Sequence, residues 1–199
     1  FIAAFGKDKL ARLIEAEADL SLISYGIWVI ADLDSAFARE LVAQLDMQKL
    51  ASLDRANANA HTIAQVAQAL AALSPQGARA FLSAYKSSHV LTLIKREPGL
   101  HNVAEVLRSL GSFRLDLAKE LLGDLGPEWV RQRAADERNA AKVAVFLEVI
   151  GTIDREFARR ALRQLDQKRL LIDLSRLGNV TELALFIAAI ARFDADSAI

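Results

Sequence analysis

"AFARELVAQLD", residues 36–46, returns 120 residues later as "EFARRALRQLD", residues 156–166. The pairing sets Phe37 on Phe157, Arg39 on Arg159, Gln44 on Gln164 and Asp46 on Asp166. Worn copies of the same phrase stand between them, "QGARAFLSAYK" at 76–86 and "LDLAKELLGDL" at 115–125. The spacing is a 40-residue period, and repeat periods of that size belong to stacked helical units. Windows opening at Lys9, Lys49, His89, Trp129 and Arg169 align without a gap. Their second residues are Leu10, Leu50, Val90, Val130 and Leu170. Further on come an apolar column (Ile23, Ile63, Val103, Val143, Leu183) and a small one beside it (Ser24, Ala64, Ala104, Ala144, Ala184). A second small column is Ala31, Ala71, Gly111, Gly151 and Ala191, and a turn column is Leu33, Leu73, Phe113, Ile153 and Phe193. An alanine column follows at Ala38, Ala78, Ala118, Ala158 and Ala198.

Each window reads as three helices. The first, "KLARLIEAE" in the opening window, is short and breaks at Asp19, Asn59, Gly99, Asn139 or Asn179. These residue types accept N–H bonds at helix starts or tolerate turn geometry. The second is about 14 residues, apolar on most sides, and therefore expected to be buried. The third starts after Asp34, Ser74, Arg114, Asp154 or Asp194, with Pro75 suited to a first turn. Its Phe37, Leu41, Val42 and Leu45 make a one-sided apolar stripe. Two small residues seven apart lie on one side of the second helix, where they admit a close neighbour. No strand pattern competes. The expected fold is all-α, a right-handed α-solenoid of 40-residue, three-helix repeats at 9–48, 49–88, 89–128, 129–168 and an incomplete 169–199, with 1–8 the tail of a preceding repeat.

The bulk numbers agree with one cooperative unit. At 199 residues, 53% hydrophobic and 25% charged, the chain can bury a core. Lys plus Arg equals Asp plus Glu at 25 each, so no global charge draws it to nucleic acid or anionic lipid. It has no cysteine, hence no disulfide and no thiolate metal site, which fits a reducing compartment, and the cytoplasm is the expected location. "FIAAFGKDKL" has neither a basic start nor an initiator Met, so the chain is expected to begin mid-protein. The apolar stretches "LSLISYGIWVIADL" and "ELALFIAAIARF" are too short to span a bilayer. Natural arrays end in polar caps. Here Phe1, Ile2 and Ile199 stand at uncapped ends, which makes self-association an expectation.

A 40-residue unit of one short and two longer helices resembles the armadillo/HEAT class of α-solenoids. The phrase "LxxIAxxLxxIAxxDxxFARELVxxLD" also looks like repeat arrays at the C-terminal end of bacterial STAND-type NTPases, the NLR-like sensors. The first resemblance covers the whole chain; the second carries no residue-level motif. Both imply a protein-recognition role, and neither carries over a catalytic residue.

Chemistry is sparse. No Gly-rich phosphate loop is present, and the histidines are His61, His89 and His101. His61 and His101 hold one column at the start of the second helix, where stacked equivalents roughly 10 Å apart cannot share a zinc bound at about 2 Å. Both are expected to be exposed. No cofactor and no catalytic role are expected. The leading candidate is a basic column, Arg39, Arg79, Lys119 and Arg159, on four third helices. It suits an acidic protein surface or nucleic-acid phosphates. Against that, Glu40, Asp116, Glu120 and Glu156 lie close enough in sequence to pair with it. Tyr25 and Trp28 depart from their columns, because the column-mates of Trp28 are Gln68, Arg108, Glu148 and Ala188. They read either as an interaction anchor or as packing for a preceding repeat. The expected function is a non-catalytic protein-interaction scaffold or sensor module of a larger protein, with a helical-repeat nucleic-acid binder as the alternative.

Overall fold

A computed structural model describes residues 6–52, 59–137, 139–177 and 180–193. Among them every regular element is a helix, and no strand occurs. The chain divides into two units, Phe1–Ile94 and Lys95–Ile199.

The first unit contains α1 (Lys7–Ala16), α2 (Leu20–Leu33), α3 (Ser35–Val42), α4 (Met47–Ser52), α5 (Ala60–Leu73), α6 (Pro75–Ser83) and most of α7 (Ser87–Arg96). The expected starts are made by side-chain oxygens. Asp19 accepts from the Ser21 N–H at 2.8 Å, Asp34 from Phe37 at 2.9 Å and Ser74 from Gly77 at 3.0 Å. At α5 the capping is reciprocal, with Asn59 accepting from the Thr62 N–H at 2.8 Å and the Thr62 hydroxyl accepting from the Asn59 N–H at 3.1 Å. Each such cap contributes about 1 kcal/mol. Helix α2 packs on α5 and α3; α5 packs on α6; α1 packs on α3 and α4 on α6. Ala38, Leu41 and Val42 of α3 and Ala78, Phe81 and Leu82 of α6 form the buried stripes, so the third-helix pattern falls on the core as expected.

The second unit contains α8 (Leu100–Phe113), α9 (Leu115–Asp136), α10 (Ala140–Ile153), α11 (Arg155–Gln164), α12 (Gln167–Leu177) and α13 (Val180–Phe193). Helix α10 lies between α8 and α13. Its Val143, Ala144, Phe146, Leu147 and Ile150 are fully enclosed. The small column works here as tight-crossing space. A Cβ built on Gly111 would stand 2.9 Å from Cγ1 of Ile153, and the ring of Phe193 fills the place of a Cβ on Gly151.

Two details differ from the sequence reading. The first helices that open at Met47 and Gln167 start earlier than expected, because the residue that caps each lies ahead of its window. Asp46 accepts from the N–H groups of Gln48 and Lys49, both at 3.0 Å, and Asp166 accepts from Arg169 at 3.0 Å. As expected, the third and first helices around 126 are distinct: within the span α9 the helix is interrupted at Gly126, whose φ 73 and ψ 156 are not helical, and Pro127 opens the second part. Gly6, at φ 78 before α1, makes the same kind of turn without a Cβ. Finally, Phe37 and Phe157 are not equally inward. Phe157 is fully buried under the Arg160 guanidinium, 5.9 Å from its ring centroid, whereas Phe37 is half-buried. The position equivalent to Arg160 is Glu40, whose carboxylate pairs with Lys7 instead. Asn179, Asp194 and Ala198 lie outside the described residues.

The 14-residue helices α2, α5, α8, α10 and α13 start at residues 20, 60, 100, 140 and 180. No helix among the described residues is long and apolar enough to cross a membrane.

Candidate functional site

The basic column is carried by α3 (Arg39) and α6 (Arg79) in the first unit, and by α9 (Lys119) and α11 (Arg159) in the second. Each sits near the middle of its helix, one residue after the buried alanines Ala38, Ala78, Ala118 and Ala158. That offset of about 100° turns the next side chain outward, and Arg39, Arg79 and Lys119 are exposed. Their sequence neighbours do not neutralise them. Glu40 is committed to Lys7, and Asp116 to Arg114, whose guanidinium approaches to 2.9 Å and holds the Asp116 carboxyl down to about 2. Among the described residues, no carboxylate lies within 4.0 Å of Arg39, Arg79 or Lys119. Arg159 differs. It faces Glu156 at 3.9 Å and is half-buried, with Nε enclosed and lacking a hydrogen-bond partner. The pairing anticipated for the whole column therefore occurs at one of its four positions.

Tyr25 and Trp28 stand on α2, 68% and 50% exposed. They are not alone. Leu22, Val29 and Leu33 are exposed on the same helix, and with Tyr25 they follow i, i+3, i+7 and i+11, an apolar stripe on one side. The stripe was missed because each residue looks ordinary in a helix that is apolar almost throughout. The available signal was the column comparison: Leu22 stands where later windows have Thr62, Asn102 and Lys142. Trp129 belongs elsewhere. It packs on Phe146 at 6.4 Å and lies under Arg133 at 5.5 Å, a tethered helix-start aromatic.

His101 is exposed as expected, but His61 is half-buried and its Nδ1 is enclosed without a hydrogen-bond partner. The neighbouring Ala60 and Thr62 are buried, which draws the ring in at the α5 start. His89 stacks on Tyr85 at 6.1 Å, and Tyr85 meets Phe81 edge-on at 5.3 Å. Among the described residues no group of three or more His, Cys, Asp or Glu could hold a metal ion. In the second unit a recess of about 120 Å³ is lined by Arg131, Gln164, Asp166 and Arg169 among others. Its cations are already occupied, since Arg131 pairs with Glu128, which it holds down to about 2, while Arg169 donates to the Ala135 carbonyl at 3.3 Å. The recess is also smaller than the roughly 300–1,000 Å³ of ordinary ligand pockets.

Phe1, Ile2 and Ile199, the ends expected to self-associate, lie outside the described residues. No family model, no curated protein and no solved structure matches this chain.

Proposed function

We propose that the chain is a non-catalytic binding scaffold, an α-solenoid of 40-residue, three-helix repeats in the armadillo/HEAT manner, that presents cations on its third helices to an acidic protein surface. The observation that carries the binding role is the set of exposed basic residues without a carboxylate partner, Arg39, Arg79 and Lys119, at one equivalent position of three windows. Support for the repeat comes from each unit separately. The 14-residue helices begin at a constant interval, α2 packs on α5 in the first unit, and α8 on α10 and α10 on α13 in the second. In such an array the inner columns carry stability, and the outer columns are free to vary for recognition. A sensor module within a larger STAND-like protein is one setting for that role.

An acidic protein is preferred over nucleic acid because the formal net charge is zero and offers no long-range attraction to a polyanion. Fluorescence anisotropy with a labelled oligoglutamate-rich peptide and, in parallel, a labelled RNA oligonucleotide separates the readings. The proposal expects the peptide to bind, weakening as salt rises, and binding to vanish in Arg39→Glu/Arg79→Glu/Lys119→Glu. Equal peptide binding by the triple variant sinks it, and a preference for RNA transfers the site to the nucleic-acid reading.

A further inference from the structure

The turn into a first helix is written twice with the same chemical groups, "LDMQKL" at 45–50 and "LDQKRL" at 165–170. In both, the aspartate caps the helix that it opens, Asp46 accepting from the Lys49 N–H and Asp166 from the Arg169 N–H, each at 3.0 Å. In the first unit the aspartate's own N–H and the cation three places on hold a carboxylate between them. Glu15 of α1 accepts from the Asp46 N–H at 3.0 Å and from Lys49 Nζ at 2.8 Å, and its side chain is only 13% exposed. In the second unit the residue 120 places after Glu15 is Ala135, which has no carboxylate to offer. The Asp166 N–H has no acceptor among the described residues, and Arg169 donates to the Ala135 backbone carbonyl instead, at 3.3 Å.

At that place lies the recess of about 120 Å³, with Ala135, Asp166 and Arg169 in its wall. It is small for a whole ligand and the right size for one functional group. Glutamate exceeds alanine by a carboxymethyl group, and a liquid water takes about 30 Å³, so the recess has room for that group. Two further wall residues favour an anion there. Ala134 replaces the larger Ile14 of α1, and Arg131 adds a second cation where α1 has Ala11. Arg131 pairs with Glu128 and Arg169 faces Asp173 at 3.5 Å, but neither acid lines the recess. Those contacts do not exhaust Arg169, whose guanidinium carries five N–H donors. We propose that the recess binds a carboxylate supplied by another molecule, held by the Asp166 N–H and the Arg169 guanidinium as Glu15 is held by Asp46 and Lys49. Bonds to an ionised acceptor of this kind are the strong class of hydrogen bond. The capping carboxylate of Asp166 does not forbid the second one, because Asp46 and Glu15 coexist in the same arrangement. The inference rests on the comparison of Glu15 with Ala135 and not on the third-helix cations.

Amide chemical shifts of the nitrogen-15-labelled chain test this in a titration with sodium acetate, with sodium chloride at equal ionic strength as the reference. The Asp166 amide is expected to move along a saturating curve with acetate and not with chloride. The Asp46 amide, whose N–H already holds Glu15, is expected to stay still. Arg169→Met should weaken acetate binding about tenfold or more. Ala135→Glu supplies the carboxylate from within the chain, at an exposed position that tolerates the change. It is expected to keep the helical circular dichroism, to raise the urea midpoint near neutrality and to abolish the acetate response. A blocked tripeptide with a central glutamate, and its glutamine counterpart, separate two sources of the carboxylate. A response to the glutamate peptide alone of the two assigns the site to an acidic side chain of a protein partner, and a response to acetate without the peptide assigns it to a free small acid. An Asp166 amide that neither acetate nor the glutamate peptide moves, or an acetate response that survives Ala135→Glu, overturns the inference. The variant Arg39→Glu/Arg79→Glu/Lys119→Glu should bind acetate as the parent does, so failure of the third-helix cations to hold an acidic peptide is read separately.

Discussion

Gly126 and Gly123 lie three residues apart in α9 and respond oppositely to an added methyl group. Gly126 holds φ 73 and ψ 156, a region that L side chains rarely adopt. Gly126→Ala is therefore expected to cost about 1–3 kcal/mol in urea unfolding, the usual size of such backbone strain. Gly123 is exposed, helical and has nothing within 4 Å of an added Cβ. Gly123→Ala should stabilise by up to about 1 kcal/mol, because alanine loses less backbone freedom in a helix. Equal effects from the two would mean that the bend is not held by Gly126. The separation of the two helices here was legible from the window period, but the sign of φ is invisible in a string of letters. Likewise the exposure of Arg39, Arg79 and Lys119 was legible from their offset from the alanine column. The choice of Lys7 over Arg39 by Glu40 was not, because it depends on which chain segment folds back beside α3.

Between elements, Glu15 of α1 ties the start of α4. Lys49 Nζ donates to its carboxylate at 2.8 Å and the Asp46 N–H at 3.0 Å, and these two bonds hold its pKa below the ordinary 4.5. A depressed carboxylate contributes stability that is present above the ordinary value and lost as pH falls through the lower, folded one. Glu15→Gln should therefore be less stable than the parent near neutrality, with the gap closing below about pH 4.5, read from urea midpoints across the acid range. A constant gap would assign the effect to packing. The twin phenylalanines of the opening phrases give a second comparison. Phe157 is buried on α11, which packs on α9, α10 and α13, and Phe157→Ala should cost about 3–5 kcal/mol. Phe37 is half-buried, so Phe37→Ala should cost distinctly less. Identical letters in identical phrases do not imply identical burial, since burial is set by neighbours such as Arg160 that differ between copies.

Across each unit, the 14-residue helices differ in how many sides are covered. In the second unit α10 has α8 and α13 on either side, while α13 has an open face; in the first, α5 is covered by α2, whose own outer side is open. Hydrogen exchange followed by mass spectrometry should show α10 amides exchanging more slowly than those of α13, and α5 more slowly than α2, because local opening costs less where fewer contacts are lost. The letters alone were enough for the all-α class, the caps at Asp19, Asn59, Asp34, Ser74 and Asp154, and the inward alanines Ala38, Ala78, Ala118 and Ala158, because helix capping and apolar periodicity act over a few residues. Folding was needed to decide which acid neutralises which base, that His61 turns inward, and that Leu33 and Ala191 are exposed. The Lys7–Glu40 pair joins residues 33 apart, beyond the reach of any local pattern. A periodic string writes the same residue types for a covered face and an open one, and only packing tells them apart.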